Sequence, residues 1–248
     1  MKLAVIPARG GSKRIPRKNI KPFFGKPIIG WSIEAAQQAG CFDRIVVSTD
    51  DEEIAEVART FGAETPFRRP PELANDHAGT TPVVAHAAQW FVDQGVPPEL
   101  VCCIYATAPF IQHDDLATGL SLMQSQDIDY AFAVTRFPSP IQRALRIRTD
   151  GRVEMFDPTQ FHMRSQDLEA AWHDVGQFYW GRTQAWLQQR PVFSPRSAPI
   201  VLPGHRVQDI DSPEDWVRAE ALFQLLQGPM FRDTGDGIAG MRPQEQTG

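Results

Sequence analysis

Short apolar runs rich in β-branched residues punctuate the first half of the chain, at residues 3–6, 45–47 and 101–105. Runs that are apolar at every position belong to strands covered on both faces, so these predict a largely parallel sheet. Between them the period becomes helical. Ile54, Val57, Ala58 and Phe61 recur at i, i+3, i+4 and i+7, and Val83, Val84, Ala87, Ala88 and Phe91 form a second stripe. A helix over 113–125 and a strand over 129–135 follow, and Gly40 and Gly62 stand where helices should stop. Alternation of strand and helix predicts an α/β fold, a largely parallel central sheet flanked by helices.

From 137 to 199 the rhythm breaks into Pro-punctuated pieces containing Trp172, Phe178, Tyr179, Trp180 and Trp186, which read as an inserted, partly β region. Regular structure is expected again at 207–210 and in a helix over 212–227. There Ser212, Pro213 and Asp215 spell a capping box, and Trp216, Ala219, Phe223 and Leu226 supply a buried face. Residues 228–248 hold five Gly and two Pro with little apolar periodicity and read as a flexible tail. The expected organisation is one domain over 1–227, with 137–199 inserted, and a tail.

The 248 residues, 42% of them hydrophobic, can build a sizeable core. The longest nearly apolar stretch, 101–111, is about half the roughly 20 residues that span a bilayer, and residues 3–6 are too short for the apolar region of a secretory signal. Three cysteines make no disulfide framework. A cytosolic protein is expected, with no membrane partner. Net charge is only −5, but Lys2, Arg9, Lys13, Arg14, Arg17, Lys18, Lys21 and Lys26 precede the first acid, Glu34. The remainder is strongly acidic, which disfavours a nucleic-acid coat and favours a compact anionic ligand.

Those cations surround Gly10 and Gly11, just beyond the first strand, at the edge where open α/β sheets bind ligands. The two glycines let backbone amides approach an anion, Ser12 adds a hydroxyl, and Arg9, Lys13 and Lys18 add charge, so phosphate binding is the reading beside that of a structural turn with solvated cations. Neither a Walker A motif nor G-x-G-x-x-G is present. Asp209 and Asp211 are two apart, so on an extended segment their carboxylates share a face. That suits Mg²⁺ completed by nucleotide phosphates; the alternative is a solvated pair at a helix start. His173 beside Asp174 reads as an acid/base pair or as an ordinary polar histidine, and Cys102 and Cys103 as structural.

The run from Pro7 to Asn19, P-A-R-G-G-S-K-R-I-P-R-K-N, resembles the signature of the cytidylyltransferases that activate nonulosonic and related acidic sugars as CMP conjugates. Lys26-Pro27, Trp31-Ser32-Ile33, Val47-Ser48-Thr49-Asp50-Asp51, Arg69-Pro70-Pro71-Glu72-Leu73-Ala74-Asn75-Asp76 and residues 208–215 continue it in order. Residues 104–110, 137–145 and 176–182 are similar to the pseudaminic acid branch, whereas Tyr105 stands where the sialic acid branch has Gln. The resemblance implies a nucleotidyltransferase fold, transfer of CMP from CTP to an acidic nine-carbon sugar, and a homodimer paired through the inserted region. Sialic, legionaminic or 3-deoxy-octulosonic acid, another base, or a non-catalytic nucleotide-binding module are the alternatives.

By that resemblance Arg9, Lys13, Asp209 and Asp211 are the catalytic set, with Mg²⁺ on the two aspartates. Ala8, Gly10, Gly11 and Ser12 join Arg9 and Lys13 around the triphosphate, and Lys18, Asn19, Arg69 and Thr80 fall near cytosine. Arg69 in a Pro-bounded turn can also be read as a surface cation. For the sugar the candidates are Arg143, Arg164 and Gln166 at its carboxylate, and Tyr105, Gln177, Phe178 and Tyr179 as pocket lining. Such aromatic clusters are otherwise core or interface.

Overall fold

A computed structural model describes residues 1–76 and 78–227; the expected tail, 228–248, lies outside the described residues. The elements are, in chain order, β1 (Lys2–Pro7), β2 (Pro22–Phe23), β3 (Lys26–Pro27), α1 (Ile28–Gln38), β4 (Arg44–Ser48), α2 (Glu52–Thr60), α3 (Thr80–Asp93), β5 (Leu100–Ile104), α4 (His113–Ser125), β6 (Tyr130–Arg136), β7 (Leu145–Ile147), β8 (Val153–Met155), β9 (Trp172–Arg182), α5 (Thr183–Leu187), β10 (Ser197–Val201) and α6 (Pro213–Leu226). Six strands form the main sheet in the order β10-β6-β9-β5-β1-β4. β1 runs parallel to both β4 and β5, and β10 parallel to β6; β9 alone is antiparallel, to β5 and β6.

Strand alternation sends successive residues to opposite faces. Ala4, Ile6, Cys102 and Ile104 pack in a cluster with Ile29 and Ile33 of α1, Ile54 of α2, and Leu116 and Met123 of α4. Leu3, Val5, Val101 and Cys103 pack with Val84 and Phe91 of α3 and Trp186 of α5. Both faces are thus covered, which is why the strands read as continuous apolar runs. Two buried tryptophans still satisfy their polar atoms. Trp180 Nε1 donates to Leu116 O at 2.9 Å and Trp186 Nε1 to Val101 O at 3.1 Å. Gly40 and Gly62 follow their helices at φ +60° and +84°, the left-handed conformation that ends a helix.

Two expectations change. Within 137–199, only 137–171 leaves the main sheet, carrying the separate β7–β8 hairpin; β9 and β10 return to it, with β9 at its centre. The register of β9 against β6 jumps between Phe132, opposite Tyr179, and Val134, opposite Asp174. That irregularity breaks the alternation by which a strand is recognised. Residues 207–210 form no strand: Val207 takes extended angles, φ −125° and ψ 118°, but no neighbour pairs with it. The segment is instead anchored by Ile210, fully buried with Ile15, Phe23, Ile28, Trp216 and Phe223 in a third core under α6. This small core packs the basic loop against the aspartate segment.

Candidate active site

The loop after β1 is shaped by the corner after β4. Asp50 Oδ1 accepts the Gly10 amide at 3.0 Å. Asp51 caps α2 through the Ile54 amide at 3.0 Å and takes Arg17 Nη1 at 2.5 Å. A Cβ on Gly10 would lie 2.7 Å from Asp51 Oδ2, so only glycine fits there. Arg17 holds φ 55°, an uncommon conformation for a side-chain residue, braced by ion pairs to Asp51 and Glu53. Asn19, buried, donates Nδ2 to Arg9 O at 2.9 Å and closes the loop on itself.

The loop then meets the far end of the chain. Lys18 Nζ donates to Ile210 O at 2.5 Å and lies 3.3 Å from Asp211 Oδ1, while Arg14 Nη2 pairs with Asp211 Oδ2 at 3.0 Å. Asp211 in turn receives its place from the start of α6. Ser212 Oγ accepts the Asp215 amide at 3.2 Å, and Asp215 Oδ2 accepts the amides of Ser212 and Asp211, at 2.8 and 3.2 Å. The capping box therefore sets the backbone at the aspartate as well as starting the helix.

A cleft of about 480 Å³ opens between these groups. It is lined by Arg9, Ser12, Lys13, Lys18, Asn19, Arg69, Thr80, Tyr105 and Asp211 among the expected residues, with Arg14, Asp76, Gly79 and Thr107 besides. Arg69 is no surface cation: it is 4% exposed and donates to the Ser48 carbonyl and, from Nε, to Ser48 Oγ at 3.2 Å. Burial pulls its guanidinium down to about 10, Arg9 nearby assisting against the Asp50 charge. Arg9 Nη1 and Lys13 Nζ both bind Asp76, each at 2.5 Å, and that carboxyl is held down to about 2 by Lys13 and Arg9. Tyr105 is braced on its backbone, its amide donating to Gln177 O at 2.8 Å and its carbonyl accepting Ser32 Oγ at 2.7 Å.

Asp209 does not line the cleft directly, but a Cβ on Gly176 would touch both the Tyr105 ring, at 3.5 Å, and Asp209 Cγ, at 3.8 Å. Its carboxyl is pushed above the ordinary aspartate value, first by loss of solvent contact and then by the Asp211 charge. The two carboxylates therefore feel one another, and among the described residues no third His, Cys, Asp or Glu completes a metal cage. Two carboxylates suit Mg²⁺, which takes its remaining ligands from water and phosphates, but Asp211 now pairs both oxygens with Lys18 and Arg14, which such an ion would displace.

Other candidates are placed elsewhere. Ala8 is buried behind the loop, the Gly10 amide is already taken, and Gly11 is exposed outside the cleft. Phe178 is wholly buried in the core on the α1 face and does not line the cleft. Gln177, also buried, ties β9 to the turn before the aspartates through Arg206 O at 2.8 Å. Arg143, Arg164 and Gln166 are exposed on the 137–171 arm, where Arg143 binds Met163 O and Arg164 pairs with Asp167 at 2.7 Å. Within one chain they do not meet the cleft. His173 Nδ1 lies 2.9 Å from Asp174 O, an ordinary local contact. Cys102 and Cys103 are fully buried, and burial holds both thiols high. Asp76, which sequence reasoning assigned no role, sits inside the Arg69–Asp76 block and has no spacing that signals its two cations.

Comparison with known proteins accords with this geometry. The family model described as "Cytidylyltransferase" matches residues 3–209. A pseudaminic acid cytidylyltransferase of Campylobacter jejuni is 46% identical over 229 residues, 92% of this chain and 99% of its own length. A CMP-N,N'-diacetyllegionaminic acid synthase of Legionella pneumophila is 31% identical, covering 91% and 97%. Among solved structures, CMP:2-keto-3-deoxy-manno-octonic acid synthetase complexed with CTP shares the fold at a TM-score of 0.64 and 20% identity, over 90% of this chain and 98% of that one. Matched by that model over most of its length and by relatives over nearly the whole of theirs, this chain belongs to the cytidylyltransferase family.

Proposed function

We propose that this chain transfers CMP from CTP to the anomeric hydroxyl of a nonulosonic acid, pseudaminic acid foremost, releasing pyrophosphate. The observation that carries the proposal is the single cleft in which the cationic loop and the Asp211 segment are bonded to one another through Lys18 and Arg14. The 46% identity to the Campylobacter enzyme supports the choice of sugar.

In the reaction the sugar hydroxyl oxygen bonds to the α-phosphorus, its proton passing to solvent water, while the bond to the oxygen bridging to the β-phosphate breaks and pyrophosphate leaves with the electron pair. Arg9, Lys13 and Ser12 are the groups that grip the triphosphate and meet the charge growing on the leaving group. Lys18 keeps the loop against the aspartate segment, and Asn19, by closing the loop, keeps Arg9 in place. Asp209 and Asp211 would hold Mg²⁺, whose chemistry is to neutralise phosphate charge and polarise phosphorus.

A homodimer belongs to the same proposal. On the 137–171 arm Ile147, Val153, Phe156 and Phe161 are 78%, 64%, 63% and 64% exposed, an apolar surface of the kind that marks an interface. Pairing there would bring the arm's Arg143, Arg164 and Gln166 toward a second cleft. A cytosolic setting completes the reading, in keeping with three unpaired cysteines. The test is pyrophosphate release from CTP and Mg²⁺ with pseudaminic, sialic, legionaminic and 3-deoxy-octulosonic acids in turn. Release with pseudaminic acid above all others supports the assignment, release with another acid reassigns the sugar, and none with any defeats the proposal.

A further inference from the structure

Asp209 sits on a segment that, among the described residues, pairs with no strand, so something other than the sheet must place its carboxylate. Downstream the segment is fixed by Lys18 on the Ile210 carbonyl and by Asp215 on the Asp211 amide. Upstream it is fixed at Arg206, three positions before Asp209. The Arg206 guanidinium grips Asp115, in the first turn of α4, through two parallel bonds, Nη1 to Oδ2 at 2.7 Å and Nη2 to Oδ1 at 3.1 Å. Both side chains are only 13% exposed, and such a fork sets direction as well as distance. The Arg206 carbonyl accepts Gln177 Nε2 at 2.8 Å.

Gln177 shows what this arrangement is for. It is buried, and its Oε1 has no hydrogen-bond partner among the described residues. A buried oxygen left unmatched costs stability rather than adding to it. What Gln177 supplies is position. Its backbone carbonyl accepts the amide of Tyr105, a residue of the cleft wall, while its side chain holds Arg206. Gly176, next to it, lies against both Tyr105 and Asp209. Asp115 is tied to the same wall, because α4 follows the cleft-lining residues Tyr105 and Thr107 after a short turn. Arg206 thus fastens the aspartate segment, by side chain and by backbone, to the wall that carries Tyr105.

We infer that Arg206, held by Asp115 and Gln177, is a positioning residue for the Asp209 carboxylate as a ligand of the divalent cation. The inference rests on the metal and cytidylyl-transfer reading above. Calorimetry on the full chain measures CTP binding in excess Mg²⁺ and in EDTA, and the ratio of the two affinities is the gain the cation brings. Asp115→Asn and Arg206→Lys break the fork. Gln177→Met cuts the other bond and removes the unmatched oxygen with it, so it disturbs the fold least. Asp129→Ala, which breaks a different ion-pair cluster at the start of β6, is the comparison for lost stability alone. Melting temperature is recorded for every variant.

In the folded variants of the three residues the gain is expected to fall about fivefold, less than the ~10–100-fold that follows loss of a group bonded directly to a metal ligand, because Arg206 acts through backbone. CTP affinity in EDTA is expected to stay within about twofold of wild type, and Asp129→Ala to keep the full gain despite its lower melting temperature. A gain within about twofold of wild type in Gln177→Met and in whichever fork variant folds, or a gain lost equally in Asp129→Ala, overturns the inference and leaves the metal reading standing. A wild type that binds CTP no better with Mg²⁺ than in EDTA defeats the metal reading, and the role of Arg206 with it. A wild type that shows the gain but releases no pyrophosphate with any sugar defeats the proposed reaction, while the gain still judges Arg206.

Discussion

Asp76 sets the terms on which an anion enters the cleft, because Arg9 and Lys13 are both paired with it. Any triphosphate gripped by these cations must exchange places with that carboxylate. Exposed ion pairs are individually weak, so Asp76→Asn is expected to tighten CTP binding only by about a few-fold, read by calorimetry; weaker binding would show that Asp76 itself helps hold the nucleotide. Asp209→Ala is expected to lower turnover about 100-fold, the usual effect of removing one preorganised charge contact, with melting temperature unchanged. Retained turnover at limiting Mg²⁺ would remove the metal from the proposal. Arg9, Lys13 and Asp211 were legible because charge, glycine and spacing advertise them. Asp76 was not, since its partners lie 67 and 63 residues away, and a surface alternative stayed open for Arg69, placed near the nucleotide, because nothing local reveals the Ser48 oxygens that receive it.

Among the elements, α6 has the clearest local grammar, and its capping box is formed as its residues spell it. Because Asp215 also accepts the Asp211 amide, Asp215→Ala is expected to cost about 1 kcal/mol of stability and to raise the Mg²⁺ concentration needed for half-maximal turnover. A loss of stability with no change in Mg²⁺ demand would confine Asp215 to the cap. The entry to β6 rests on Asp129, 6% exposed in its side chain, which pairs with Arg190 and Arg196 from either side of the turn into β10. Burial raises its carboxyl, but Arg196 and Arg190 outweigh that and leave it below the ordinary aspartate value. A lowered folded value means stability present above the ordinary aspartate range and lost as pH falls through the folded one. Asp129→Ala is therefore expected to cost about 2 kcal/mol at neutral pH, tempered because both arginines are half exposed, and progressively less in acid, measured by urea unfolding. A penalty independent of pH would contradict the pairing. β9 escaped the sequence for a physical reason: its irregular register and aromatic density hide a strand in the middle of the sheet.

For the molecule as a whole, alternating strands and helices were enough to foretell the sheet and its covered faces. The arm could not be delimited the same way, since its short apolar residues carry no period and β9 follows it without a break in composition. Its exposed face yields the prediction for assembly. Light scattering is expected to give twice the mass of one chain, and Ile147→Glu with Phe156→Glu to return it to one, with sugar turnover falling together with the dimer. A monomeric wild type with full activity would leave the arm without that role.

The bond from Lys18 to the Ile210 carbonyl crosses 192 positions of sequence, which has a bearing on how the molecule is made. On the ribosome the cationic loop emerges well ahead of the carbonyl that fastens it. A nascent chain arrested before residue 207 would hold all six strands of the main sheet without the clasp, so competence to retain nucleotide should arrive abruptly once Ile210 has been added.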